Sequence, residues 1–162
     1  MDFDEITQTH ESANEKWNQQ LSRYNTAGIE RLASTYNESM ACDCVEAESG
    51  SFNMCFKVVF ADGTSWAVRF PIPGKVMYPE EKVRREVAVM KFTQAKTRIP
   101  VPRLIASGSA AENHDPAMGP FIITEWIDGV WLVSVMEEKP RPEWGPVLRD
   151  DIDEATLSKI YR

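Results

Sequence analysis

An arginine two residues after an alanine, in the stretch Trp66-Ala67-Val68-Arg69-Phe70, is the first arrangement in this chain whose residue types could do chemistry. On a strand, side chains alternate between faces, so Trp66, Val68 and Phe70 share one side and Ala67 and Arg69 the other. A small alanine lets a flat base approach the sheet, and a cation two residues on reaches its phosphates. The alternative is an edge-strand arginine facing water. Glu86 bears on that choice. It borders an apolar stripe of Val83, Val87 and Met90, whereas Glu80 and Glu81 stand among charges. A carboxylate beside a core face needs a partner, and Arg69 on the preceding strand is the natural one; otherwise Glu86 is a solvated flank residue. Two further segments belong with this pair. Glu48-Ser49-Gly50-Ser51-Phe52-Asn53 reads as a hairpin whose amides and hydroxyls suit phosphate, although most such turns merely connect strands. Phe121-Ile122-Ile123-Thr124-Glu125-Trp126-Ile127-Asp128-Gly129 is an apolar strand running into an extended exit that could offer backbone groups to the edge of a base, with Asp128-Gly129 capping a following helix or, alternatively, Asp128 serving as a metal ligand.

The elements that must position these residues follow from periodicity. Ala13, Trp17, Leu21 and Tyr24 recur at helical spacing, and Ile29, Leu32, Ala33 and Tyr36 begin a second short helix. From Cys42 the pattern becomes that of strands: 42–48, then 53–60 with Met54, Phe56, Val58 and Phe60 on one face, then 65–70 after the tight turn Ala61-Asp62-Gly63-Thr64. Residues 80–96 form the longest helical segment, stopped by Ile99-Pro100-Val101-Pro102. Short strands are expected at 103–106 and 121–126, a short helix at 129–137, and the start of another at 150–161. The order predicts an α+β fold, a five-stranded antiparallel sheet with one long packed helix.

Composition narrows the function classes. The 162 residues are 43% hydrophobic and 27% charged, an ordinary globular balance. A net charge of -7 disfavours nucleic acid or an anionic membrane as partner. No apolar run approaches the roughly 20 residues of a bilayer span. The acidic opening lacks a secretory signal's basic and apolar regions. Three closely spaced cysteines, Cys42, Cys44 and Cys55, argue against a disulfide framework and point to a reducing compartment, for which the expectation is the cytoplasm. Cys42-x-Cys44 lacks the usual zinc spacing, and neither His10 nor His114 stands as an obvious further ligand.

Taken in order, Ala67-Val68-Arg69, Glu86 within Lys82 to Phe92, Ile99-Pro100-Val101-Pro102, and Gly119 to Gly129 with its Glu125-Trp126-Ile127-Asp128-Gly129 ending resemble the aminoglycoside phosphotransferase family, in its fungal branch called the phosphotransferase enzyme family. The resemblance covers roughly residues 27–162. It implies the N-terminal lobe of a protein kinase-like fold: a helical extension over 1–38, a nucleotide-binding lobe over 39–128, and a hinge exit with the truncated start of a second lobe over 129–162. It also implies that Arg69 takes the phosphate-contacting position usually held by lysine, that Glu86 orients it, that Gly50, Ser51, Phe52 and Asn53 cover the phosphates, and that Ile123, Glu125, Trp126 and Ile127 form the hinge. ATP is the implied cofactor, with Mg in the complete family enzyme, and the implied partner is a small-molecule hydroxyl acceptor.

This sequence departs from the family's pattern in three respects. Arginine replaces lysine, an exchange usual in the fungal branch but not a neutral one. The phosphate hairpin carries a single glycine. The family's His-Gly-Asp catalytic loop, its following Asn and its metal-binding Asp belong to the second lobe, and none of His114-Asp115, Asp62-Gly63 or the Asp150, Asp151, Asp153 group stands in for them. The expectation is a chain that binds nucleotide but transfers little or no phosphate by itself. The rival expectation is a non-catalytic module associating with a partner through its hinge-side surface, including Ile123, Trp126 and Trp131.

Overall fold

The computed structural model describes residues 8, 9, 11, 12, 15, 16, 26–130, 132–137, 145 and 147–160. The first expected helix, on Ala13, Trp17, Leu21 and Tyr24, falls largely outside them, as do His10 and Trp131. The chain divides into two compact units, Met1–Trp126 and Ile127–Arg162.

In the first unit, α1 (Ala27–Thr35) leads into β1 (Cys42–Ser49), β2 (Asn53–Phe60) and β3 (Ser65–Pro71), then α2 (Pro79–Lys96), β4 (Leu104–Gly108) and β5 (Phe121–Glu125). The sheet order is β1-β2-β3-β5-β4, and every pairing is antiparallel. The strand carrying Arg69 therefore lies inside the sheet, between β2 and β5, and is not an edge. The tight turn after β2 closes through Phe60 N–H to Thr64 O at 2.8 Å and Thr64 N–H to the Asp62 carboxylate at 2.8 Å. Gly63 has φ +85°, a conformation that a side chain would disfavour.

Strand alternation divides the sheet into two faces with different contents. On one, Phe56, Val58 and Phe60 of β2, Trp66, Val68 and Phe70 of β3, and Phe121 and Ile123 of β5 meet Ile29, Leu32 and Ala33 of α1 in the main core. Edge-on aromatic pairs lock it, Phe60 with Trp66 at 4.6 Å and Phe56 with Phe70 at 6.0 Å between centroids. On the other face a much smaller cluster, Val83 and Val87 of α2 with Ile122 of β5, seats the long helix, and Met90 and Leu104 pack against its rim. Pro79 at the helix start fixes φ where no N–H is needed, and Glu80 and Glu81 suit the positive end of the helix dipole.

The second unit contains the short helices α3 (Leu132–Met136) and α4 (Glu154–Ile160). A bridge between Glu137 and Leu148 links the segments on either side of the proline-rich stretch. Asp153 caps α4, accepting from Thr156 N–H at 2.8 Å and from the Thr156 hydroxyl at 2.7 Å.

Candidate functional site

The second face of the sheet carries the residues that the sequence singles out. Register puts Arg69 opposite Cys55 on β2 and Ile122 on β5, and Ala67 opposite Lys57 and Thr124. Alternation then brings Cys55, Lys57, Ala67, Arg69, Ile122 and Thr124 to one side. Ala67 and Thr124 are buried there without joining the main core.

Arg69 and Glu86 meet. The guanidinium Nη2 donates to Glu86 Oε1 at 2.6 Å, and both side chains are 28% exposed. Burial works against the Glu86 carboxylate. A hydrogen bond from Lys82 and the positive charges of Arg69 and Lys82 outweigh it and hold the carboxyl below its ordinary range. The Nε of Arg69 is enclosed and has no hydrogen-bond acceptor among the described residues.

Sequence reasoning missed Lys82. Its ammonium donates to Glu86 Oε2 at 2.9 Å and to the side-chain oxygen of Asn53 at 2.9 Å. The signal was present, a lysine four residues before Glu86 on the same helix face. Lys57 was missed too. It lies across from Ala67, with its ammonium 4.7 Å from the centroid of the Trp126 ring.

The hairpin between β1 and β2 closes through Gly50 N–H to Asn53 O at 2.8 Å, and Phe52 O accepts from Ile72 N–H at 2.9 Å. A side chain at Gly50 would meet that same Asn53 oxygen at 3.3 Å. Ser51 and Phe52 are exposed at the tip, and Asn53 is half-buried where β2 begins.

The exit of β5 is more committed than its sequence suggests. Ile123 is fully buried in the main core, so its side chain faces away from Arg69. The Glu125 amide donates to Arg103 O and the Trp126 amide to Ser65 O, each at 3.0 Å. The Glu125 carboxylate accepts from Arg103 N–H at 2.8 Å. Ile127 opens the second unit and is exposed.

Other candidate groups have local structural roles. His114 Nε2 pairs with the Thr35 hydroxyl at 2.8 Å, Asp115 caps a short turn through Ala117 N–H, and Asp151 pairs with Arg149. All three cysteines are free, and burial pushes the Cys42 thiol up to about 11, with the nearby Glu30 and Asp43 charges adding to the effect. Among the described residues no group of three or more His, Cys, Asp or Glu could hold a metal. A hollow of about 620 Å³ lies away from Arg69, between the start of α2 and the end of β4. Its carboxylates are engaged: Glu80 with Ala110 N–H, Glu81 with Arg84 and Arg85, and Glu112 with Ser109.

The sequence profile of the phosphotransferase enzyme family matches residues 43–147, which contain all of the sheet but Cys42, together with α2 and the Arg69–Glu86 pair. The chain belongs to this family. Its sheet and long helix are a phosphotransferase-family kinase-like N-lobe, and the fold is α+β. Among curated proteins it is similar to "Altered inheritance of mitochondria protein 9, mitochondrial" from several yeasts. It is 29% identical to the Clavispora lusitaniae protein over 68% of this chain and 17% of the relative. With the Debaryomyces hansenii protein the identity is 29% over 64% of this chain and 15% of the relative, and with the Candida albicans SC5314 protein 25% over 82% and 19%. The chain thus spans less than a fifth of the length of these relatives.

The relatives' names also correct one expectation. All three are designated mitochondrial, which overturns the cytoplasmic location read from the sequence. That reading rested on free thiols and an acidic opening, and free thiols mark a reducing environment without telling one such compartment from another.

Proposed function

We propose that residues 39–128 form the nucleotide-binding lobe of an ATP-dependent small-molecule phosphotransferase, with ATP held on the second face of the sheet. The observation that carries this reading is the Arg69–Glu86 pair on an interior strand, two residues from the buried Ala67. The Nε of Arg69 is enclosed, so a ligand can reach only the partly exposed remainder of the guanidinium. A phosphate oxygen arriving beside Arg69 would accept charge-assisted hydrogen bonds from guanidinium donors other than Nε. Ala67 leaves room for a base, the hairpin 50–53 covers the phosphates, and the segment from Ile123 to Trp126 borders the base. The amides of Glu125 and Trp126 are engaged within the lobe, so a base edge would be read by other groups of that segment.

This lobe supplies binding and positive charge but no catalytic base, and Mg would be held by acidic groups of the complete family enzyme. Alone, the chain binds nucleotide weakly and turns over none. The acceptor is a hydroxyl-bearing small molecule that other parts of a complete enzyme would contact. A mitochondrial location is carried over from the relatives' names.

Thermal denaturation tests the binding claim, because a ligand that binds only the folded state raises Tm by mass action. Millimolar ATP should raise the Tm of the chain, and Arg69→Met should remove the rise. Equal melting with and without ATP would overturn the reading. ATP hydrolysis by the purified chain that disappears in Arg69→Ala would overturn the inactivity.

A further inference from the structure

Lys82 stands where helix energetics alone give it little reason to be. It is the fourth residue of α2, close to the positive end of the helix dipole, where a cation is disfavoured. Its i,i+4 pairing with Glu86 runs lysine first, the weaker of the two orders. Yet the side chain is only 27% exposed and makes two hydrogen bonds, one of them leaving the helix for Asn53, 29 residues earlier. Asn53 is the residue whose carbonyl closes the β1–β2 hairpin onto Gly50.

The space around this bond sharpens its meaning. Phe52 of the hairpin and Lys82 and Arg85 of α2 line one hollow of about 400 Å³. Hairpin tip and helix therefore both border this hollow. The Lys82–Asn53 bond is a direct tie between the two elements.

We infer that Lys82 is a positioning residue that clamps the phosphate-covering hairpin to the Arg69–Glu86 pair, so that hairpin closure and guanidinium orientation act as one unit. The inference rests on the nucleotide reading for its consequence but not for its mechanics. Asn53 holds the hairpin end of the clamp, Lys82 bridges, and Glu86 shares its two carboxylate oxygens between Lys82 and Arg69. Loss of Lys82 would free the hairpin and leave Arg69 with a carboxylate that can rotate.

The test combines hydrogen exchange without nucleotide and calorimetric titration with ATP, on the full chain. Lys82→Met and Asn53→Ala should each speed exchange of the Gly50 amide, and Lys82→Arg should restore most of its protection. Lys82→Met and Asn53→Ala should each weaken ATP binding by about tenfold or more, as expected for losing a hydrogen bond to a charged group, and the double variant should be no weaker than the worse single. Unchanged Gly50 exchange in Lys82→Met, or single effects that multiply in the double variant, would overturn the clamp. Faster Gly50 exchange in Lys82→Met in a chain that binds no ATP would leave the clamp standing and remove the nucleotide reading. ATP binding that Arg69→Met abolishes but Lys82→Met leaves intact would do the reverse.

Discussion

The two faces of the sheet are built from the same three central strands and differ in nearly everything else. One buries aromatic and branched side chains against α1, with Val58, Val68, Phe121 and Ile123 fully excluded from solvent. The other holds Lys57, Arg69 and, across from them, Lys82 and Glu86, with only Val83, Val87 and Ile122 to seat the helix. A dry face derives stability from area removed from water. A half-open face lined by paired charges adds little net stability, since desolvation offsets much of the attraction. What it provides instead is preorganised charge where a ligand can reach it. The same division appears within single strands, because in β3 each step of one residue moves from core to site.

Substitutions on the dry face should have the largest effect. Phe70→Ala removes a fully buried ring and should destabilise the chain by about 3–5 kcal/mol, read as a lower midpoint in urea. If it costs no more than a substitution at Lys57, the division fails. Gly108→Ala comes next. Its new methyl would stand 2.6–2.7 Å from the Phe121 ring and 3.2 Å from Glu112 Cβ, an overpacking that should cost about 1–3 kcal/mol. A neutral result would mean that the end of β4 yields more easily than the core it borders.

On the charged face the smaller effect is a pH dependence. The folded-state pKa of Glu86 lies below its ordinary 4.5. Its contribution to stability is therefore full above that value and is lost as pH falls through the lowered one. Glu86→Gln should flatten the acid limb of a stability-versus-pH curve below about pH 4.5 and leave Phe70→Ala's acid limb as a steeper control. Identical acid limbs for wild type and Glu86→Gln would show that the pair contributes nothing the unfolded chain lacks. The smallest expected effect is at Cys42, where burial and nearby carboxylates keep the thiol protonated. Its alkylation at neutral pH should be slower than that of a free cysteine, and a faster rate would point to an unrecognised positive neighbour.

Much of this division is legible in the sequence because period-two alternation is unambiguous where each strand has a distinct apolar set. Met54, Phe56, Val58 and Phe60 assign β2, and Trp66, Val68 and Phe70 assign β3, which leaves Arg69 on the opposite side by elimination. Glu86 is legible because it borders a helical stripe. Lys82 is not, since its partner Asn53 belongs to another element and only the folded hairpin brings the two together. The side chain of Ile123 and the amides of Glu125 and Trp126 are equally opaque, because a run of apolar residues does not say which neighbours its strand will pair with. Compartment is a property that periodicity and charge do not encode, and there the relatives' names correct the sequence reading.

Calorimetric titration of ATP into the wild-type chain and into Arg69→Met, under the same buffer and salt, is the most direct test of the charged face. Saturable binding to the wild type that weakens at least tenfold in Arg69→Met, with melting temperatures close to each other, is the predicted result. Equal affinities, or no binding to a wild-type chain shown to be folded, would contradict the assignment of that face to a nucleotide.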